Sequence, residues 1–404
     1  MSRLKRLIAE LCPDGVEYVK LGEVCKFQNG FAFKSNLFKS AGLPIIRITN
    51  IQKTNVDVNN VVWFDKDDYR ESLSQYEIQQ GDILIAMSGA TTGKIGYVVA
   101  DGTFYLNQRV GKLVPIKDYL INRYLFHFLH SKENEIYIMA GGGAQPNLSS
   151  TRIMTELLIP LPPMPVQREI VRILDNFTEL TAELTAELTA RVKQYEYYRE
   201  KLLTFGDDVP MVPLGEIATE MYRGAGIKRD EVSEEGTPCV RYGEIYTTYG
   251  IWFEACVSRT KVGTKTFEHG DILFAITGES VEEIAKSCAY MGHEKCCAGG
   301  DIVVMKHEQN PKYIAYALST SDAQAQKSKG KVKSKVVHSS VPALKAITIP
   351  LPSLEEQARI VTILDKFDTL TTDITIGLPA EITARNKQYE YYRDKLLAFK
   401  EVGA

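Results

Sequence analysis

The strongest constraint on this 404-residue chain is that part of it is written twice. Ile159-Pro160-Leu161-Pro162 returns as Ile349-Pro350-Leu351-Pro352, and the stretch from Gln167 to Phe177 returns from Gln357 to Phe367, both displaced by 190 positions. Lys193-Gln194-Tyr195-Glu196-Tyr197-Tyr198-Arg199 then recurs without change from Lys387 to Arg393, displaced by 194. Self-similarity of this kind means that one structural unit is used more than once.

Each copy opens with prolines that cannot continue a helix and then runs for about forty residues rich in Leu, Glu, Lys, Arg and Ala. In the first copy Ile170, Ile173, Phe177, Leu180, Leu184, Leu188, Val192, Tyr195 and Leu202 stay three or four apart with one gap of seven, which marks one face of a long amphipathic helix. The second copy, from Glu355 to Phe399, contains Gly377-Leu378-Pro379 and is expected to kink or break there. Each apolar stripe needs another to cover it, so the two helices are natural partners.

The stretches ahead of these helices, about 20–160 and 210–350, read differently. They hold short β-rich runs such as Pro44–Ile48, Gly81–Ala86 and Lys112–Pro115, separated by Gly, Asn and Asp turns. Leu21-Gly22-Glu23-Val24 is echoed by Leu214-Gly215-Glu216-Ile217, Gly81-Asp82-Ile83-Leu84 by Gly270-Asp271-Ile272-Leu273, and Trp63-Phe64 by Trp252-Phe253. The expected architecture is α+β: two globular mixed α/β domains joined by two long, antiparallel, coiled-coil-like helices in a pseudo-twofold internal repeat. The divisions fall at residues 1–160 (with 1–19 an N-terminal helical segment), 161–206, 207–350 and 351–404.

In that order of domain, helix, domain, helix the whole chain resembles the specificity subunits of type I restriction–modification enzymes. The marks are Pro160-Leu161-Pro162 leading into Gln167 and the Ile-Leu-Asp segment, present at both places. Thr181-Ala182-Glu183-Leu184 and Thr185-Ala186-Glu187-Leu188 look like the length-variable repeat of the IC subclass. The resemblance implies a bipartite target in double-stranded DNA, each half read by one domain. It implies helices that dock two modification (methyltransferase) subunits, restriction subunits that join through them, and a spacer length set by the helices. S-adenosylmethionine, ATP and Mg are then expected on the partner subunits and no cofactor on this chain. The competing reading is a coiled-coil scaffold without sequence readout, for which two divergent heads on matching stems would have little use.

Composition restricts the chemistry further. A formal net charge of −3 argues against binding nucleic acid with the whole surface, and residues 206–350 alone carry 17 basic and 19 acidic side chains. Seven cysteines without a repeated spacing fit buried free thiols better than disulfides; Cys288, His293, Cys296 and Cys297 lack the second pair that a zinc shell needs. The N-terminal residues lack the apolar core of a signal peptide and no apolar run reaches membrane length, so a cytoplasmic location is expected.

Motifs that imitate catalysis fail on detail. Gly89-Ala90-Thr91-Thr92-Gly93-Lys94-Ile95 has three residues between glycines where a P-loop has four, and offers no hydroxyl after Lys94. No Asn/Asp-Pro-Pro-aromatic loop for base methylation occurs, and Gly141-Gly142-Gly143 does not sit in a βαβ unit. A non-catalytic chain is expected.

Base edges are read by Arg, Lys, Asn and Gln, and phosphates by Lys, Arg and backbone amides. In the first domain the candidates are Asn107, Gln108 and Arg109 after the aromatics Phe104 and Tyr105, Arg47 and Thr49 on one face of a short strand, and Lys94 and Gln145 in glycine-rich loops. In the second they are Arg241, in the place of Arg47, and Lys327, Lys329, Lys331, Lys333 and Lys335, expected to track phosphate. Leu184, Leu188 and the repeated Tyr195, Tyr198, Tyr389 and Tyr392 are expected to pack against the partner helix or a docked subunit, since tyrosine suits half-buried interfaces.

Overall fold

Runs that are apolar at every position, such as Ile83-Leu84-Ile85-Ala86, belong in strands covered on both faces. In the computed structural model, which describes residues 3–52, 55–142, 146–329 and 336–403, all four of these side chains are buried. Contacts divide the chain into two compact units, residues 1–184 with 382–404 and residues 185–381. The units do not follow the four linear segments expected from the sequence. The helix Met164–Leu202 gives its first half to one unit and its second half to the other, and the end of each repeat packs with the domain of the other repeat.

In the first unit eight strands matter: β1 (Cys25–Asn29), β2 (Leu43–Ile46), β3 (Val62–Phe64), β4 (Glu77–Ile78), β5 (Ile83–Ala86), β6 (Ile95–Tyr97), β7 (Phe104–Leu106) and β8 (Val110–Pro115). They form two four-stranded sheets, β1-β8-β5-β6 and β3-β2-β7-β4, antiparallel except for the parallel pair β2 and β7. The helix Asn122–Ser131 covers the first sheet with Tyr124, Leu125, Phe128 and Leu129, in one core with Val166, Ile170 and Leu174 of the long helix.

The second unit repeats the plan with β9 (Ala218–Arg223), β10 (Val232–Ser233), β11 (Thr237–Val240), β12 (Trp252–Phe253), β13 (Ser258–Thr260), β14 (Thr266–Phe267), β15 (Ile272–Ala275), β16 (Ser287–Tyr290), β17 (Cys296–Ala298) and β18 (Ile302–His307). Its sheets run β9-β18-β15-β16-β12 and β10-β13-β11-β17-β14, and β11 and β17 are again parallel. The Gly-Asp echo is a shared turn: Gly81 and Gly270 have φ of +92° and +91°, and the following Asp82 and Asp271 accept from the backbone N–H of Gln79 and Glu268 at 3.0 and 2.9 Å. The Trp-Phe echo is not shared. Trp63 and Phe64 pair with β2, whereas Trp252 and Phe253 lie in the other sheet beside β16, and β13 occupies the place of β3.

The repeated helix segments fasten these domains in the same way twice. Gln167, fully buried, donates to the carbonyls of Tyr119 (2.9 Å) and Pro162 (2.8 Å) and accepts from the N–H of Ile121 (2.9 Å). Gln357 donates to the Pro352 carbonyl and Gln309 (both 2.9 Å) and accepts from the N–H of Asn310 (3.0 Å). Tyr124 and Tyr313 donate to the carbonyls of Pro160 and Pro350, and Asp175 and Asp365 pair with Arg123 and Lys312. The aromatic contacts also repeat: Phe177 stacks on Tyr392 at 5.4 Å in the first unit, and Phe367 on Tyr198 at 5.6 Å in the second. The expected break in the second copy falls between the helices Leu354–Thr372 and Leu378–Leu397. There Asp373 accepts from the N–H of Thr375 and Ile376, and a Cβ on Gly377 would lie 2.5 Å from the Thr369 carbonyl oxygen, a space only glycine fits.

Lys327 does not reach solvent. It sits on the helix Ser321–Ser328 with its Nζ donating to the Leu318 carbonyl at 2.7 Å, so it serves the core and is not placed to follow phosphate. Burial lowers its pKa to about 7 from an ordinary 10.5.

Two outcomes are expected. Gln167→Leu leaves one N–H and two carbonyls unpaired at about 1–3 kcal/mol each when buried, so urea denaturation should show a loss of roughly 3 kcal/mol or more in the first unit; an unchanged midpoint would mean that the proline turn is held by something else. For Lys327 the unfolded chain holds the proton up to about pH 10.5 while the folded unit releases it near 7, so the destabilisation is complete below 7 and fades as pH rises through that window. The gain should approach about 1.4 kcal/mol per pH unit. Denaturation at pH 7 and 9.5 should show this slope for the native chain and a flatter one for Lys327→Met, and parallel profiles would count against it.

Candidate nucleic-acid interface

Two parallel strands leave a sheet at the same edge, so the residues that follow them emerge side by side. In the first domain Ile45 lies opposite Tyr105 and Ile46 opposite Leu106. Arg47-Ile48-Thr49 and Asn107-Gln108-Arg109 therefore start together, joined by the Asn107 N–H donating to the Ile46 carbonyl at 3.2 Å. A third turn, Gly89–Thr91, is tied to both: Thr91 Oγ1 donates to the Ile48 carbonyl (3.2 Å), and Arg109 Nη1 donates to Ser88 Oγ (3.1 Å). Lys94 is exposed at the end of that turn, with its N–H donating to the Thr91 carbonyl at 3.0 Å.

Arg47 and Thr49 do not share a strand face as expected. The strand ends at Ile46, because Asn50 accepts from the Arg47 N–H (2.9 Å) and donates to the carbonyls of Asp57 and Asn60 (both 3.0 Å), rolling residues 48–50 into a 3₁₀ turn. Thr49, Gln108 and Arg109 are exposed, and Arg47 and Asn107 half-buried. The structure thus brings together Arg47, Thr49, Lys94, Asn107, Gln108 and Arg109. Gln145 lies outside the described residues.

In the second domain Cys239 lies opposite Cys297 and Val240 opposite Ala298, so Arg241 and the run Gly299-Gly300-Asp301 emerge together. Arg241 therefore does stand where Arg47 stands. The edge is hollow here: a groove of about 1090 Å³ is lined by Arg223, Lys228, Arg229, Arg241, Tyr242, Glu244 and the glycine backbone, among others. Arg223 Nη2 donates to Asp301 at 2.6 Å, and Arg241 Nε to Glu244 at 3.3 Å. Arg223, Lys228 and Arg229 escaped sequence reading; the only available signal was a Lys-Arg pair between Gly226 and Asp230. Lys329 is exposed, and Lys331, Lys333 and Lys335 lie outside the described residues.

The aromatic candidates on the helices divide. Tyr195 is buried against Phe367, and Tyr389 is buried with its hydroxyl 2.9 Å from His127 Nδ1, so both are used inside the chain and are not free to meet another subunit. Burial pushes both hydroxyl pKa values up. Burial also lowers the His127 pKa, against the raising effect of its 2.8 Å bond to Asp175. Tyr198 and Tyr392 stack on Phe367 and Phe177, and Leu184 and Leu188 are half-buried. The most exposed tyrosines of the repeat are Tyr197 and Tyr391, at 59% and 60%, each beneath a lysine, Lys201 or Lys395, and Tyr392 is exposed to a lesser degree. Among the described residues no group of three or more His, Cys, Asp or Glu side chains could hold a metal ion, and no helix is long and apolar enough to cross a membrane.

Comparison with known proteins gives a consistent answer. A family model described as the type I restriction modification DNA specificity domain matches residues 13–194 and again 207–384. The chain is 32% identical over 404 residues to S.HindORF215P of Haemophilus influenzae, named as a type I restriction enzyme specificity subunit, covering 95% of this chain and 96% of that one. It is 30% identical over 415 residues to the type I restriction enzyme EcoR124I/EcoR124II specificity subunit of Escherichia coli, covering 99% and 97%. The solved S subunit of a type I restriction–modification system from M. genitalium shares the fold, with a TM-score of 0.54 at 16% identity over 95% of this chain and 96% of that one. With two copies of that domain spanning most of its length, the chain belongs to the specificity subunits of type I restriction–modification systems, the non-catalytic subunits that recognise the DNA target sequence.

Proposed function

We propose that each domain reads one half of a bipartite target in double-stranded DNA at the edge where its parallel strand pair ends, and that the long helices set the unread spacer. The observation that carries this is the contrast between matching fastenings and divergent edges: Gln167 and Gln357 anchor alike, whereas the position held by Asn107-Gln108-Arg109 in the first domain is held by Gly299-Gly300-Asp301 in the second. A common stem with different heads suits two different half-sites. In the first domain Arg109, Gln108 and Asn107 offer base-edge donors and acceptors, with Arg47, Thr49 and Lys94 beside them; in the second, Arg241 and Lys329 are the described candidates.

Two modification subunits dock on the helices, and restriction subunits join through them; S-adenosylmethionine, ATP and Mg belong to those partners. The support is a surface presented twice, with Tyr197 over Tyr198 and Tyr391 over Tyr392 at 5.3 Å in each copy, which fits two copies of one partner. Leu184 and Leu188 line the same helix, and the complex works in the cytoplasm. We infer from the likeness of the tandem Thr-Ala-Glu-Leu units to a length-variable repeat that the chain is of the IC subclass. They lie in unbroken helix, and the division between compact units falls between Leu184 and Thr185, at the junction of the two repeats.

The assembled complex should therefore select two independent half-sites from a random DNA library, and replacing residues 20–160 by a relative's should change one half only. Altered selection at both halves would contradict the reading, and selection of no sequence would favour a scaffold. Arg109→Ala should cost about 1–3 kcal/mol on the specific site and less on random DNA. One further repeat after Leu188 adds about 6 Å of helix and roughly 40° of net rotation, close to the roughly 35° of a base pair. The selected spacer should lengthen by one pair, and an unchanged spacer in the folded variant would remove the ruler.

A further inference from the structure

We infer that Arg241 reads a guanine in the second half-site, aimed by Glu244 as its positioning residue, while Lys228 and Arg229 hold the DNA backbone at the rim of the same groove. The inference rests on the two-domain reading above and gives it a chemistry in the domain where sequence reading found least.

Arg241 is held from one side by a single carboxylate. Its N–H donates to Glu244 Oε2 at 3.1 Å and its Nε to Oε1 at 3.3 Å, while Ser258 Oγ donates to the same Oε1 at 2.7 Å. Glu244 is buried, so the carboxylate is itself fixed. The guanidinium is thus gripped by its inner edge. Its terminal Nη1 and Nη2 make no hydrogen bond among the described residues, and a pair of parallel N–H donors on a fixed plane matches the O6 and N7 acceptors of guanine. Arg47 in the first domain is not gripped in this way. Asn50 stands where Glu244 stands but bonds backbone groups only, and the buried Arg47 Nε has no partner among the described residues.

The groove provides the access. Where the first domain carries Asn107 and Gln108, the backbone of Gly299 and Gly300 lines a groove of about 1090 Å³ beside Arg241, and a Cβ on either would crowd the backbone of Val240 or Gly226 at 3.1 Å. Arg223 braces its floor by binding the Gly300 carbonyl and Asp301. Lys228 and Arg229 are exposed, with side chains in no ion pair among the described residues, as phosphate contacts should be. The lining holds four cations against the two carboxylates of Glu244 and Asp301, within a segment where acidic residues outnumber basic ones. Positive charge is in local excess in this groove, which is how a domain of low net charge attracts DNA locally.

The test uses the complex assembled with its modification subunits and a DNA library randomised at both half-sites. The native complex should select a fixed guanine in the second half-site. With Arg241→Ala that position should become random while the first half-site is selected as before, and affinity for the native site should fall about 5- to 150-fold. Arg241→Lys keeps the charge and should still lose the guanine, and Glu244→Ala should relax the same position because the guanidinium loses its aim. The double variant Lys228→Ala and Arg229→Ala should weaken all sequences equally and flatten the salt dependence by about two phosphates. An unchanged second half-site in both Arg241 variants, with the first still selected, overturns the inference and leaves the two-domain reading standing. Failure of the native complex to select either half-site would instead overturn that reading.

Discussion

The structure depends on one buried amide in each repeat. A glutamine without solvent contact is costly unless its oxygen and nitrogen are all paired, and Gln167 meets that condition by bonding the backbone on both sides of the seam between domain and helix. The bonds run to the loop before the helix Asn122–Ser131 and to the proline turn that opens the long helix, so they fix the angle at which the helix leaves its domain. Gln357 repeats this with Gln309, Asn310 and Pro352. Hydrophobic contact along the helix supplies most of the stabilisation, but it is tolerant of sliding. A three-point polar contact is not, and it gives each domain a single seating on its helix.

Much of this was legible because it was repeated. The proline turn, the glutamine, the Ile-Leu-Asp run and the helix break at Gly377 all follow from local rules, and all lie in segments where two copies can be compared. The chain's strand runs were also readable, since Ile83–Ala86 and Ile272–Ala275 are apolar throughout. What could not be read was pairing between distant strands. The place of Arg241 follows from the sequence, yet Trp252-Phe253, for all its likeness to Trp63-Phe64, lies in the other sheet, because a two-residue likeness carries no information about the partner strand. Lys327 shows the same blindness to burial. Within a run of lysines it looks like solvated charge, and only the packing around the helix Ser321–Ser328 reveals that its ammonium group is enclosed.

At the edges, the two domains solve one geometric problem with different chemistry. The parallel pair delivers two loops to the same place, and the side chains there are free to vary because none of them is needed to hold the sheet. The first domain fills that place with Asn107, Gln108 and Arg109 and ties Arg109 to Ser88. The second sets two closely packed glycines there and fixes an arginine from the neighbouring loop.

The exchange of helix ends has a consequence for inheritance. The end of each repeat packs with the other repeat's domain, but the residues making that contact, Phe177 with Tyr392 and Phe367 with Tyr198, are the same on both sides. A crossover between related genes inside the repeated segments would join a foreign domain to a helix end it already fits. New reading surfaces can enter such a lineage whole, through recombination, without any compensating change in the parts that hold them.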